Sequence, residues 1–394
     1  MKTYNNIPII DTAYGGYGVA KIEGSYTVFI PFTVEGDVVD FQITTQKKTH
    51  AFGKLLQIKE KSYHRKEIAC PYLFQCGGCL FGHIDYGSQL TIKEKIVKNF
   101  FRKISNFKID EIISSSPDRY RFRATFRILK NKSGFLGFKS NRFIQVENCL
   151  ICKTSMIEKI KEFLRFANSD APTKCYIIEN EENKALINFE GKIEKDSIEI
   201  ENVVGIKTKN KIFGQEKIKI SVDDTFYYCG FDSFSQSNRY LLNKFLCYST
   251  KFLKKNDRVL ELYSGSGFFT NTISRKTETV TAVEENFEAT KLLKELNLNN
   301  LNVFTEKVEK LQQSILKNHN ILFVDPPRSG LSKNVIKLAL KHSFEKIIYV
   351  SCNPATMARD ISKLIDKYQI ENFYIIDMFP NTYHIESIAY LTLR

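Results

Sequence analysis

No apolar run in this 394-residue chain is long enough to span a bilayer, which excludes an α-helical integral membrane protein. Low-complexity tails and internal repeats are missing as well, which removes repeat arrays from consideration. No secretory leader accompanies the nine cysteines, so a secreted disulfide scaffold is not expected and a cytoplasmic location is. Tryptophan is absent altogether, and that absence excludes nothing. Acidic residues are in short supply: 44 Asp and Glu face 58 Lys and Arg, giving a formal charge of +14 and a pI near 9.1. Such an excess attracts phosphate. Lysine enrichment can also follow from an AT-rich genome, so local patterns decide more than the total.

Two further absences narrow the cofactor. Residues 256–285 read as strand, glycine-rich turn, helix and second strand: RVLELY (258–263), SGSGF (264–268), a helix opening at FTNTISRK (269–276), and TVTAVEE (279–285). The turn lacks the third glycine of the dinucleotide fingerprint, has the bulky Phe268 directly after it, and no Walker lysine follows. Gly265 and Gly267 allow a sharp turn and close approach of a ligand. Glu284, 19 residues beyond Gly265, ends the second strand where ribose hydroxyls need an acceptor. The segment is therefore better suited to S-adenosylmethionine than to NAD or ATP.

Strand-like segments continue at ILFVDPPRSG (321–330), KIIYVSC (346–352) and NFYIIDMFP (372–380), with helical stretches between them. This alternation predicts a Rossmann-like α/β domain with a mostly parallel sheet and a ligand cleft outside the strands' C-terminal ends. Glu284, Asp325 and Cys352 all fall at such ends. In DPPR the fourth position is Arg328 rather than the aromatic ring that stacks adenine in N6-adenine methyltransferases, which favours carbon as the methyl acceptor.

Cys352 lies in VSCNPATMARD, and Glu386 lies 34 residues later in FPNTYHIES. Carbon 5 of uracil is a poor nucleophile. A thiolate adding to C6 turns the ring into an enolate whose C5 can attack an electrophilic methyl group, and a base must then remove the C5 proton. The expected nucleophile is Cys352 and the expected base Glu386; His384 either orients substrate or packs. Along residues 226–394 the chain resembles the RNA uridine-5-methyltransferase family, through SCNP, DPPR, FPxTxHxE and the F-x-Q-x-N element at Phe234, Gln236 and Asn238. The resemblance implies that Gln236, Tyr263, Glu284 and Asp325 contact the cofactor or the target base. Glu261 departs from the family's usual aspartate while keeping the charge.

CPYLFQCGGC gives Cys70, Cys76 and Cys79, with a fourth candidate at Cys149 in VENCLIC and a rival at Cys152. Structural zinc usually takes two short-spaced pairs. Three grouped cysteines and a remote fourth better suit an iron–sulfur cluster. The resemblance implies a [4Fe-4S] cluster on this spacing with Cys149 as fourth ligand, in a structural role. Cys175, Cys229 and Cys247 read as core.

The first 60 residues differ in kind, with short alternating strands and glycine turns at 15–43 that predict a small antiparallel β-barrel. They resemble the TRAM domain, an RNA-binding module, with a basic rim at Lys47, Lys48, His50 and Lys54. DRYRFRATFRI (118–128) interleaves arginines and aromatics. As a strand it puts Arg121, Arg123 and Arg127 on one face and Tyr120, Phe122 and Phe126 on the other. Arg121, Arg123, Arg127, Phe122 and Arg328 are the candidate RNA contacts. A paired base is closed to this chemistry, so the target must be unpaired or flipped.

The expected organisation is a barrel at 1–60, an α+β cluster-bearing and RNA-binding region at 61–225, and the methyltransferase domain at 226–394. The helical stretch 86–104 either packs on the catalytic domain or does not; its pattern leaves that open. The first reading is a monomeric enzyme methylating C5 of a uridine in 23S ribosomal RNA. The second is the same reaction on the T-loop uridine of tRNA, and the third a catalytically idle iron–sulfur RNA-binding or assembly protein.

Overall fold

A computed structural model describes residues 2–311, 315 and 318–394. The chain divides into two compact units. One comprises Met1–Asn99, Phe135–Val146 and Phe379–His384, the other Phe100–Gly134, Glu147–Met378 and Ile385–Arg394.

In the first unit, Thr3–Ala13, Tyr17–Ile22, Tyr26–Pro31, His50–Glu60 and Val38–Gln46 close into a barrel in that order. Alternation of apolar and polar residues sends Ile9, Ala20, Val28, Ile30, Val39, Phe41 and Ala51 into its interior. The pairing is antiparallel except between Tyr26–Pro31 and His50–Glu60, which run parallel, so the expected all-antiparallel barrel is corrected at one seam. His50 does not stand free on a basic rim: its ring packs edge-on against Phe29 (5.7 Å) and Phe52 (5.4 Å). The helix Tyr86–Phe101 lies in the same unit as far as Asn99 and buries Ile92, Ile96 and Val97 together with the polar Gln89 and Lys93.

The second unit holds an eight-stranded sheet. Its order is Leu301–Thr305, Thr279–Glu284, Arg258–Leu262, Ile321–Val324, Lys346–Ser351, Glu386–Leu393, Tyr368–Ile376 and Glu111–Ile113. The first five strands are mutually parallel, and Glu386–Leu393 runs antiparallel to both of its neighbours. Nearly continuous burial along these strands is what a sheet covered on both faces requires. The order reverses at Arg258–Leu262, and ligands bind beyond the C-terminal ends at such a switch point. The antiparallel strand begins at Glu386, so its first residue lies at this same edge.

A second sheet in this unit joins Arg123–Leu129, Thr173–Glu179, Ala185–Phe189, Val203–Lys207 and Ile212–Gly214. Its buried face includes Phe126, Ile128, Cys175, Ile177, Ile187 and Phe189, and the helix Thr154–Phe163 contributes Met156, Ile160 and Phe163 to the buried core. Phe122 is 3% exposed, so it cannot offer its ring to a base. Its place in the inward series with Ala124 and Phe126 is the reason. Among the described residues no helix is long and apolar enough to cross a membrane.

Candidate active site

The glycine turn owes its shape to backbone conformations that side chains resist. Gly267 has φ +94°, and a Cβ there would stand 2.6 Å from Leu293. Gly265 has φ +55° with open space where a Cβ would go. Between strand and turn, Tyr263 adopts φ +63°, a left-handed conformation that costs a bulky residue about 1–3 kcal/mol. Its N–H and that of Ser264 both donate to the Val283 carbonyl (2.9 and 3.3 Å). Glu284 is tied to the turn, its carboxylate accepting from the N–H groups of Gly265 (3.0 Å) and Asn286 (2.8 Å).

Beside this turn lies an unusual density of buried polar atoms. Both carboxyl oxygens of Glu261 and the hydroxyls of Ser264 and Thr270 have no hydrogen-bond partner within the described protein. Burial pushes the Glu261 carboxyl up to about 8; the nearby Thr270 hydroxyl, too poorly aligned for a good hydrogen bond, opposes this, and repulsion from Asp325 and Glu284 adds to it. Burial likewise raises Asp325 to about 7. Orphaned acceptors of this kind fit a bound cation. A sulfonium cofactor carrying an α-ammonium group is one, so the residues present fit S-adenosylmethionine.

The next strand ends carry the thiol and the acid. Ser351 pairs with Ser387 across antiparallel strands, which sets Cys352 and Glu386 side by side at the sheet's edge. Burial, then repulsion from Glu386 and Asp325, drives the Cys352 thiol up to about 12, while Arg328 pulls it down. Glu386, 4% exposed, is raised well above the usual carboxylate range by burial and by Asp325, again opposed by Arg328. Arg328, expected only as an RNA contact, thus sits within electrostatic reach of both reactive groups.

Its loop is fixed from below. Asn353 caps the helix Pro354–Ile361 through the Ala355 N–H (3.2 Å) and donates its own amide to the Arg328 carbonyl (3.0 Å). Asp360, buried, accepts from the Leu331 N–H (2.7 Å) and the Tyr349 hydroxyl (2.9 Å). Gly330, at φ +78°, leaves only 2.3 Å between a would-be Cβ and that carboxylate. Gln236 is buried, and its segment is stitched to the arginine strand by Phe122 N–H to Ser237 O (3.2 Å) and Arg239 N–H to Tyr120 O (3.1 Å).

Two residues escaped the sequence reading. In the first unit Gln89 accepts from the Asn381 N–H (2.8 Å) and donates to its side chain (3.1 Å), and Lys93 donates to the Phe379 carbonyl (3.0 Å). They hold the FPNTYH turn within that unit. Two polar residues four apart on an apolar helix face were the signal. His384 packs against Tyr383 (4.3 Å) and Phe379 (5.6 Å).

None of the nine cysteines is joined in a disulfide. Cys70, Cys76 and Cys79 lie in the first unit and Cys149 in the second. Among the described residues no three His, Cys, Asp or Glu are grouped to hold a metal ion. The donor chemistry fits a four-thiolate cluster. The first three thiols ride on turns closed by their own backbone bonds, Leu73 N–H to Cys70 O (3.3 Å), Cys76 N–H to Tyr72 O (2.7 Å) and Gly82 N–H to Cys79 O (3.1 Å). Cys149 is more accessible than the buried Cys152, and a hydrogen bond from Cys152 helps lower it to about 6. Cys175 and Cys229 are core, but Cys247 is exposed, because the helix Leu242–Ser249 buries Leu242, Phe245, Leu246 and Ser249 and turns it outward.

Residues 173–394 match the family described as tRNA (Uracil-5-)-methyltransferase, and residues 6–56 match the TRAM domain. An uncharacterized RNA methyltransferase of Aquifex aeolicus is 31% identical over 417 residues, spanning 97% of this chain and 96% of its own. Another, of Clostridium tetani, is 30% identical over 99% of this chain and 96% of its own. The solved structure of Pyrococcus abyssi tRNA (uracil-54, C5)-methyltransferase in complex with S-adenosyl-L-homocysteine covers 98% of this chain and 100% of its own. It does so with a TM-score of 0.79 at 23% identity, which shows a shared fold.

Proposed function

The chain belongs to the tRNA (uracil-5-)-methyltransferase family and is an S-adenosylmethionine-dependent RNA (uracil-C5)-methyltransferase; we propose that it acts on 23S ribosomal RNA through a covalent Cys352–C6 adduct. The observation that carries the mechanism is the pairing of Cys352 with Glu386 at one sheet edge, beside Asp325 and Arg328.

When bound, S-adenosylmethionine supplies an electrophilic methyl group. Glu261 and Asp325, ionising as the cation enters, would offer negative charge to it, Glu284 would offer a ribose acceptor, and Gln236, Tyr263, Gly265 and Gly267 would form the surrounding wall. The Cys352 sulfur forms a bond to C6 of uracil as its electron pair moves through C5 to the O4 enolate. The enolate's electrons return through C5 to form its bond to the methyl group, whose bond to sulfur breaks with that pair left on the departing thioether. Glu386 accepts the C5 proton, the C5–C6 double bond re-forms, and the thiolate leaves with its electron pair. A raised carboxyl suits this base, because burial and Asp325 strengthen its hold on a proton. Arg328 favours both the thiolate and the ionised base.

The ribosomal target is supported by the barrel and the C-x5-C-x2-C segment occurring in one chain, the arrangement that the resemblance associates with ribosomal members. A second reading, the T-loop uridine of tRNA, is favoured by the fold shared with the P. abyssi enzyme, which acts on uracil 54 of tRNA. Nucleoside mass spectrometry on separated ribosomal RNA and tRNA, from cells with and without the gene, decides between them. Loss of 5-methyluridine from large-subunit RNA is expected; loss from tRNA alone would establish the second reading.

The [4Fe-4S] cluster on Cys70, Cys76, Cys79 and Cys149 remains part of the proposal as a structural group, and no step runs through it. Protein purified without oxygen should contain iron and sulfide and absorb visible light by charge transfer, and Cys76→Ser should lose that absorption. A colourless, zinc-loaded protein would remove the cluster.

A further inference from the structure

The second sheet of the larger unit has one face on the core and another that the catalytic machinery does not use. Register carries a cross-strand row outward: Thr125 opposite Tyr176, Tyr176 opposite Asn188, and Asn188 opposite Lys207. All four are at least partly exposed, whereas the neighbouring row of Phe126, Cys175 and Phe189 is buried. Above the outward row lies a groove of about 630 Å³, lined by Arg123, Tyr176, Asn188, Lys207, Lys209 and Phe231 among others.

The groove's charges are arranged rather than scattered. Arg123 donates to the Ser235 carbonyl (3.3 Å), and its guanidinium lies 5.0 Å above the exposed ring of Phe234. Asp232 receives Lys207 (2.5 Å) and the Asn188 amide (3.1 Å), and Glu190 receives Lys174 (3.1 Å) and, at 3.4 Å, the Tyr176 hydroxyl. Arg123 and Lys209 have no carboxylate partner among the described residues. With Arg127 and Lys174 at its edge, the face carries five cations against two carboxylates. An aromatic ring on an open sheet, flanked by amide and carboxylate groups and unpaired cations, has the parts for unpaired nucleotides: stacking, base-edge hydrogen bonds and phosphate contacts. The groove's volume is in the range of small-ligand sites, room for a nucleotide or two.

Resting on the RNA-methyltransferase reading, we propose that this groove holds single-stranded substrate RNA flanking the target uridine. Tyr176 stacks a base, and Arg123, Lys207 and Lys209 hold phosphates. The Ser235 carbonyl that anchors Arg123 adjoins Gln236 of the cofactor wall, so a strand in the groove runs toward the site of methyl transfer.

The test is equilibrium binding of a labelled, single-stranded oligoribonucleotide to the intact protein at several salt concentrations. Tyr176→Ala is expected to weaken binding about tenfold, the effect of losing one stacked base, while Tyr176→Phe stays within about twofold of wild type. Lys207→Ala/Lys209→Ala should lower the slope of log affinity against log salt by about one. Unchanged affinity for S-adenosylhomocysteine certifies the fold of each variant. In methylation assays Tyr176→Ala should raise KM and leave kcat alone. Wild-type affinity in Tyr176→Ala, or no oligonucleotide binding by wild type, overturns the groove. Uracil methylation run in parallel separates the two claims: methylation without any groove effect sinks only the groove, and groove binding with no uracil methylated sinks only the functional reading.

Discussion

Two regions of the larger unit treat their polar groups in opposite ways. At the edge of the catalytic sheet, Glu261, Asp325, Glu386 and Cys352 are drawn out of water and pushed toward their neutral forms, and Glu261 makes no hydrogen bond of good geometry. On the open face of the second sheet, Glu190 and Asp232 each hold a lysine, and the ring of Tyr176 lies among them. The first region stores unsatisfied electrostatics that a positively charged cofactor would relieve. The second has its carboxylates paired and cations to spare, and suits binding without chemistry. Proximity to RNA alone would not predict this contrast; the division between reaction and grip does.

The largest effects should therefore fall on the unsatisfied region. Cys352→Ala should cut turnover by about 10⁴-fold or more, because the covalent step has no substitute. Glu386→Gln should halt the reaction later, leaving a protein–RNA adduct visible as a shifted band on a denaturing gel. Normal turnover in Glu386→Gln would remove the base assignment, and full biological effect in Cys352→Ala would favour an idle RNA-binding protein.

The raised thiol gives a smaller but sharper contrast within one chain. Free enzyme at pH 8 should alkylate at Cys352 on the order of 50-fold more slowly than an ordinary thiol, the loss of thiolate being partly offset by its greater nucleophilicity. The exposed Cys247 serves as internal reference, followed by peptide mass spectrometry. Between pH 7 and pH 10 the Cys352 rate should climb about tenfold per pH unit. Arg328→Gln should slow it further, because that cation holds the thiol down. Equal labelling of Cys352 and Cys247 at neutral pH would show that burial does not govern the thiol.

Much of this was legible because the catalytic half is written in strand-end residues. Apolar runs ending in Glu284, Asp325 and Cys352 dictate a parallel sheet, and a parallel sheet brings its C-terminal ends to one edge. Alternation likewise separates Arg123 and Arg127 from Phe122 and Phe126. What stayed hidden depends on pairing across long sequence distances. Nothing local shows that Glu111–Ile113 joins the catalytic sheet's edge beside Tyr368–Ile376, or that Asn188 and Lys207 complete a row begun at Thr125. Cys247 was misjudged because a cysteine's apolar character says nothing about which side of a short helix it occupies.

The smallest expected effect tests whether the unsatisfied region really disfavours the empty fold. Glu261 titrates near 8 when folded and near the ordinary glutamate value when unfolded, so the folded state holds the extra proton between roughly pH 4.5 and 8. Stability from this group is accordingly greatest below that window and falls as pH rises through it. Glu261→Gln removes the titration. The cofactor-free variant should melt a few degrees above wild type at pH 8, and the gap should narrow toward pH 5. The same substitution should weaken S-adenosylhomocysteine binding, since the cleft loses charge facing the ligand's ammonium group. Stabilisation that does not vary with pH would mean that packing, not ionisation, distinguishes the two side chains. A pH-dependent gain in stability together with weaker ligand binding would tie the site's instability to its function at a single carboxylate.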